Sequence, residues 1–549
     1  MKHYLASFAV GLLLFGAAQP TSAAVLERGP YLQTPTSASM VLKWRTDTPT
    51  DSVVNFGDAP TNLTSTVSTP TLTTEHEITV TGLAPDTRYY YSVGSSAETL
   101  SGGNSGQFFT TAPVPGTTKP TRVWIIGDSG TANASAAAVR DAYKTSTGST
   151  VTDLWLMLGD NAYPDGIDSQ YQAAVFDIYP DLLRKIPLWP TLGNHDGHTA
   201  DSATQAGPYY DIFTLPTNGE AGGLPSGTEA YFSFDYGNIH FVNLESYETD
   251  RSPGGAMMTW LANDLAANDK EWVIAFWHHP PYTKGSHNSD TEGRLIDMRQ
   301  NALPILESHG VDLVLSGHSH SYERSHLIDG HYGHSSTLTG AMVLDNGGGR
   351  ETGAGAYDKP VGGTNAGAVY AVAGSSGKVS GGSLDHPAMF ASISSLGSMI
   401  LEVNGNRLDA QFIDESGNVD DNFTIIKGDD TTPPIINKTE ADDASSVTVT
   451  YSEKVDVTSA QNIANYAIDN GVTISAATLA ADERTVTLDT SALTEGVEHT
   501  LTVNNVDDIA GNTIAANSQS QFTFVVIQTK DFQDGVAPTT AYAGTRDAY

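Results

Sequence analysis

Leu154-Trp155-Leu156-Met157-Leu158-Gly159-Asp160-Asn161-Ala162-Tyr163 decides how this chain is read. Residues 154–158 are an unbroken apolar run of strand length, the pattern of a strand buried on both faces. The run stops at a glycine, and an acid, an amide and a phenol follow. Four more segments share this arrangement: Ile126-Gly127-Asp128-Ser129-Gly130, Leu192-Gly193-Asn194-His195-Asp196, Phe276-Trp277-His278-His279-Pro280-Pro281-Tyr282 and Ser316-Gly317-His318-Ser319-His320. In four of the five the first metal-capable residue directly follows glycine, which suits a tight turn. Ligand sites of α/β folds form outside the carboxyl ends of strands, so five such ends in one domain predict one site. Each alone is weak, since Gly-Asp after a strand is usually a turn. Together and in order they are hard to produce by accident.

The donor types predict the chemistry. Asp, Asn and Tyr oxygens with His nitrogens, and no thiolate, suit two hard or borderline cations. Two metals ~3.5–4 Å apart, the spacing used in phosphoryl transfer, need a shared carboxylate. Asp160 is the candidate, because its motif is the most elaborate. His240, in Ile239-His240-Phe241, lies on a strand and reads as a core histidine outside the site. Strands predicted over 122–126, 153–158, 188–192, 272–277 and 311–315 alternate with helices predicted over 134–144, 170–185, 256–267 and 297–308. Such alternation makes an α/β layered core, and the catalytic domain is placed at 120–427.

On either side the pattern becomes all-β. Residues 25–115 alternate polar with β-branched or aromatic residues, as in Tyr89-Tyr90-Tyr91-Ser92-Val93, and predict a β-sandwich. The phrase Gly82–Tyr91 resembles the corner of fibronectin type III-like domains. Residues 430–527, after the linker Asp429-Asp430-Thr431-Thr432-Pro433-Pro434, alternate in the same way. They resemble the immunoglobulin-like modules of bacterial surface and secreted proteins, for which contact with a cell surface or polysaccharide is one role and a spacer or stability module another. Residues 528–549 read as the start of a further, truncated domain or as a tail. Met1-Lys2-His3, the apolar stretch 4–18 and Ser22-Ala23-Ala24 have the three-part layout of an export signal. The apolar run is shorter than the ~20 residues a spanning helix needs. Residues 1–24 are therefore expected to direct the protein out of the cytoplasm, to the periplasm or the exterior, with no membrane span.

Composition narrows the rest. The chain has 549 residues, no cysteine and a net charge of −36, from 27 Lys and Arg against 63 Asp and Glu. Without cysteine there is no zinc finger, iron–sulfur cluster, catalytic thiol or disulfide framework. A chain this acidic, with no basic run, is not expected to bind nucleic acid through its phosphates. The 39% of hydrophobic residues is enough for packed cores and excludes disorder throughout.

The five motifs resemble the metallophosphoesterase superfamily, and more narrowly the purple acid phosphatases. Superfamily members generally have Asp-X-His in the first motif; here it reads Asp128-Ser129-Gly130. Purple acid phosphatases also lack that His and use a Tyr three residues after the bridging Asp, as Tyr163 follows Asp160 here. Gly317-His318-Ser319-His320-Ser321-Tyr322-Glu323-Arg324 and Arg28-Gly29-Pro30-Tyr31-Leu32-Gln33 add to the likeness. The fold implied is multidomain: a fibronectin type III-like β-sandwich, an α/β four-layer metallophosphoesterase core and a C-terminal immunoglobulin-like β-sandwich. The resemblance implies a dinuclear centre, with Fe(III) held by Asp128, Asp160, Tyr163 and His320. A divalent Fe, Zn or Mn would be held by Asp160, Asn194, His278 and His318. It further implies hydrolysis of phosphate monoesters by in-line attack of a metal-bound hydroxide. His195 is then the proton donor to the leaving group and His287 a substrate contact. The family often has a second His after that contact, where Asn288 stands here. Two other readings compete: a phosphodiesterase or nucleotidase on the same site, and a surface-binding protein whose enzyme domain is inactive.

Overall fold

The computed structural model describes residues 23–350, 355–429, 431–480 and 482–525. The expected export signal lies, but for its last two residues, outside these residues, as does the whole of 526–549. Two seven-stranded sheets form the centre of the molecule. In one, Thr121–Ile126, Leu154–Met157 and Leu188–Pro190 run parallel, and Gly397–Asn404, Arg407–Asp414, Val419–Lys427 and Tyr357–Lys359 extend the sheet on the other side. In the other, Ile239–Asn243, Trp272–Trp277, Leu313–Ser316 and Val369–Ala373 run parallel. The strands are apolar runs because both faces are covered. Side chains from both sheets, among them Ile125, Trp155, Leu156, Ile274, Phe276 and Val314, belong to one continuous core.

Two of the predicted helices come out as broken elements. The region 170–185 divides into Asp168–Tyr171, a wide π turn at Gln172–Phe176, and Pro180–Leu183. Proline lacks an N–H and cannot sit inside a helix, so Pro180 starts a new one. The region 297–308 begins earlier, at Gly293, and carries a π turn at Met298–Ala302 just before Pro304. The widened turn accommodates a proline that would clash with the carbonyl four residues back. The helices Ala134–Thr147 and Ala256–Ala267 match expectation closely.

The front domain hydrogen-bonds as a six-stranded branched sheet. Its 19-residue strand Ser39–Gly57 pairs with Leu26–Gln33 near its start and with Arg88–Gly94 near its end. The stretch Arg28–Gln33 fastens this domain to the catalytic core. The buried Arg28 guanidinium donates to Gln172 at 3.0 Å and Asp168 at 3.1 Å and lies over the Phe176 ring. Tyr31 donates to the Ile212 carbonyl and Gln33 to that of Leu188. The C-terminal domain is a four-stranded sheet and a three-stranded sheet around their own core. It joins the catalytic domain through charged pairs: buried Arg407 lies 3.6 Å from buried Glu453, and half-buried Arg484 lies 3.6 Å from Asp409.

His240 is the satisfied core histidine the sequence predicts. Its ring faces Asp235 at 2.8 Å and Asp264 at 2.9 Å, tying the helix Ala256–Ala267 to the hairpin beside it. Burial disfavours its charge, but the two carboxylates outweigh burial and raise it from 6.5 to about 9. The raised value means this stability is complete below pH ~6.5 and lost as pH climbs through ~9. The difference corresponds to about 3 kcal/mol. Urea midpoints should therefore fall between pH 6.5 and 9.5, and His240→Gln should flatten that part of the profile.

Candidate metal centre

The five strand ends meet. Asp128 and Asp160 follow parallel neighbours in one sheet, Asn194 follows the next strand over, and His278 and His318 follow parallel neighbours in the other sheet. Their side chains form two clusters that share Asp160. In the first, Tyr163 Oη lies 3.0 Å from Asp160 Oδ2, 3.1 Å from Asp128 Oδ1 and 3.2 Å from His320 Nε2. In the second, His278 Nε2 lies 3.3 Å from Asp160 Oδ1, 3.1 Å from Asn194 Oδ1 and 3.2 Å from His318 Nδ1. Asp160 thus presents one oxygen to each cluster. All seven residues expected as ligands are brought together.

The local backbone explains the arrangement. Asp128, Asp160 and His318 have φ of +54°, +52° and +66°. This left-handed region is sparsely populated by residues other than glycine, though Asp and His tolerate it better than most. The ligands themselves therefore take part in the sharp turn, at Asp160 together with Gly159, whose φ is +89°. Some of the glycines before them also serve close approach. A Cβ on Gly193 would sit 2.1 Å from the Asp160 backbone nitrogen, and one on Gly159 would sit 2.5 Å from His278 Nδ1.

Polar contacts behind the ligands fix their aim. His278 Nδ1–H donates to the Leu158 carbonyl at 2.8 Å, which turns Nε2 toward the site. His320 Nδ1 pairs with Ser380 Oγ at 2.8 Å, and its backbone N–H donates to Ser286 Oγ. Buried Asp196 accepts from the N–H groups of Asn161 and Gly193 and from the Tyr171 hydroxyl, knotting the Asp160 and Asn194 loops together. Burial first, then the Asp160 charge, raises Asp196 to about 6.

Charge is concentrated here. Burial would raise Asp160, but His278 and His195 outweigh it and hold the carboxyl well below its usual range. Burial would lower His278, but Asp160 lifts it to about 9. Burial, then Asp128 and Asp160, push the Tyr163 phenol far above 10. A cation reverses this local logic, since it takes the place of the shared protons and favours anionic oxygens. The donor set fits two such ions: carboxylate, phenol and imidazole in one cluster, carboxylate, amide and two imidazoles in the other.

Around the clusters stand the remaining candidates. His195 donates its backbone N–H to Asp160 Oδ1 at 2.9 Å, and its Nδ1 faces the Pro164 carbonyl. Its ring meets Tyr163 edge-on, at 4.5 Å between centroids. The His287 ring stacks on His318 at 3.7 Å. His279 is buried behind His318, with Nδ1 on Ser246 Oγ at 2.8 Å. Asn288 turns its backbone N–H to Glu292. Glu292, in contact with His287 at 3.0 Å, is the residue that sequence reasoning missed. It follows no apolar strand, so the rule that found the others does not reach it.

Three family models match the chain: the purple acid phosphatase N-terminal domain over residues 30–112, calcineurin-like phosphoesterase over 121–322, and bacterial Ig-like domain over 430–525. The chain thus carries a calcineurin-like phosphoesterase domain behind a purple acid phosphatase N-terminal domain, and the relatives it resembles are purple acid phosphatases. It is 29% identical over 306 residues to purple acid phosphatase 15 of Arabidopsis thaliana, covering 50% of this chain and 54% of that one. It is 30% identical over 301 residues to purple acid phosphatase 22 of the same plant, covering 52% and 61%. The chain thus spans between 54% and 61% of the length of these relatives. A solved purple acid phosphatase from yellow lupin seeds, PPD1, shares the fold, with a TM-score of 0.53 and 18% identity over 74% of each chain. The first two matches fall on the front domain and the catalytic core described above, and the third on the C-terminal domain.

Proposed function

We propose that this protein is a purple acid phosphatase that hydrolyses phosphate monoesters at a dinuclear Fe(III)–M(II) centre. The observation that carries the reading is Tyr163, whose phenol oxygen lies within 3.2 Å of Asp128, Asp160 and His320. A phenolate is a hard anionic donor and favours Fe(III) over a divalent ion in that cluster. Asp160, Asn194, His278 and His318 would hold Fe, Zn or Mn. Such a metal pair supplies charge neutralisation of the phosphate oxygens and activation of water.

The chain's own groups then orient the ester and move a proton. His195 Nδ1–H is committed to the Pro164 carbonyl at 2.5 Å. Its Nε2, 3.9 Å from Asp160 Oδ2, is the atom that holds a proton beside the charged cluster. As the P–O ester bond breaks, that proton passes to the leaving alkoxide. His287, fixed through Nδ1 by Glu292, has Nε2 left to donate to a phosphate oxygen. Export by residues 1–24 belongs to the same reading, and N-terminal sequencing of the mature protein near Ala24 tests it. Among the described residues no helix is long and apolar enough to cross a membrane.

Purified protein should hold about two metals per chain, at least one of them iron, with a visible charge-transfer band. Tyr163→Phe should abolish that band while iron is still supplied; a band that persists refutes the phenolate assignment. p-Nitrophenyl phosphate should be turned over faster than its bis-ester. The opposite order would favour a phosphodiesterase on the same residues.

A further inference from the structure

We propose that Glu292 is a positioning residue that couples the divalent-metal half of the site to the substrate contact His287. The inference rests on the dinuclear reading above. One oxygen, Oε2, faces both imidazoles: it lies 3.0 Å from His287 Nδ1 and 3.6 Å from His318 Nε2. The other, Oε1, accepts the Asn288 backbone N–H at 2.8 Å. The two rings lie against each other, 3.7 Å between centroids and 28° apart in plane, and the carboxylate clasps one edge of each. On the opposite edge, His318 Nδ1 points to His278 Nε2 at 3.2 Å, so the metal-facing and Glu292-facing nitrogens of His318 are distinct.

With an ion held at His318 Nδ1, Glu292 would stand as the outer carboxylate of a carboxylate–histidine–metal arrangement, 3.6 Å from Nε2 on the far side of the ring. An outer carboxylate fixes the tautomer and ring orientation of a ligating His and raises its donor strength. Here the same carboxylate fixes His287, so one residue serves both metal and substrate. The loop that carries it is not free to drift. Buried Glu323, next to the His318–His320 turn, accepts from the Lys284 N–H and the Ser321 hydroxyl and pairs with Thr283 Oγ1. Ser286 accepts the His320 N–H. The neighbouring Asn288 turns its side chain away, to accept the Asp290 N–H. The Glu292 clasp is then the support on which His287 depends.

Equilibrium dialysis with Zn(II) as the probe, on the full iron-loaded chain, tests the proposal beside inhibition by inorganic phosphate. Glu292→Gln should weaken Zn(II) binding by about 10–100-fold and, at saturating Zn(II), also weaken phosphate. The charge-transfer band, which belongs to the Tyr163 cluster, should not move. His287→Ala should weaken phosphate only. Zn(II) binding by Glu292→Gln equal to wild type overturns the coupling. Should that variant fail to fold, Glu292→Asp, which withdraws the charge by one methylene, must show the same Zn(II) loss, and unaltered binding overturns the idea equally. A wild-type chain that takes up neither iron nor Zn(II) overturns the dinuclear reading itself, and the coupling with it.

Discussion

Replacing Asp160 by Asn should reduce phosphate monoester hydrolysis by at least ~1,000-fold, or ~4 kcal/mol of transition-state stabilisation. The substitution is chosen for its backbone. Asp160 sits at φ +52°, a conformation Asn adopts readily and Ala does not, so Asp160→Asn removes charge without adding strain. It keeps an oxygen that can accept the His195 N–H, now at 2.9 Å. What it loses is an anion with one oxygen in each cluster, 3.0 Å from Tyr163 and 3.3 Å from His278. An amide has one oxygen and cannot bridge two cations at the spacing phosphoryl transfer uses. Metal content should fall from about two per chain to one or fewer. The charge-transfer band should weaken or shift, because Tyr163 loses the carboxylate beside it. Full activity with two metals bound would sink the shared-carboxylate account.

Much of this site is legible in the sequence because each ligand strand carries its own signal. An apolar run that breaks on a metal-capable residue is a local pattern, and the parallel sheet order brings the breaks together. The satisfied state of His240 is legible for a related reason: a histidine inside an apolar strand must be buried. The rest depends on contacts between distant segments. Gly159 and Gly193 read as turn formers, but the tight spacing around them, with Asp160 and His278 within 2.5 Å of a Cβ, exists only after the sheets have packed. The helical periods at 170–185 and 297–308 are sound as apolar patterns; Pro180 and Pro304 break them by backbone sterics that periodicity does not weigh. Glu292 reaches His318 only because a loop from one strand is anchored on the next. The charges joining the catalytic and Ig-like domains, such as Arg407 and Glu453, look in sequence like ordinary surface residues.

The second large effect is expected in the motif tail Tyr322-Glu323-Arg324, which lies next to the ligands but acts on the fold. Arg324 and Asp421 are both fully buried. Arg324 donates to Asp421 through Nε at 2.6 Å and Nη2 at 3.0 Å, a two-pronged pair, and Tyr322 and Arg350 donate to the same carboxylate at 2.9 and 2.6 Å. Asp421 lies near the start of the strand Val419–Lys427 of one sheet, while Arg324 lies on Tyr322–Ser325 of the other. The pair therefore crosses between the sheets, close behind the turn that carries His318 and His320. Burying an ion pair is itself costly, yet removing one partner leaves a buried charge uncompensated, at about 3–5 kcal/mol. Asp421→Ala strands the Arg324 guanidinium in this way and takes the acceptor from the buried Tyr322 hydroxyl. Urea denaturation of the full chain should shift by that amount, and metal affinity should fall with it, since the His318–His320 turn loses its backing. Asp421→Asn keeps an acceptor oxygen for two of the four donors but loses the charge, and should recover only a fraction. The double variant Asp421→Leu with Arg324→Met, which removes both charges together, should be markedly less harmful than Asp421→Ala alone. If the double variant is as unstable as the single one, the loss comes from packing volume, and an uncompensated Arg324 charge is not its cause.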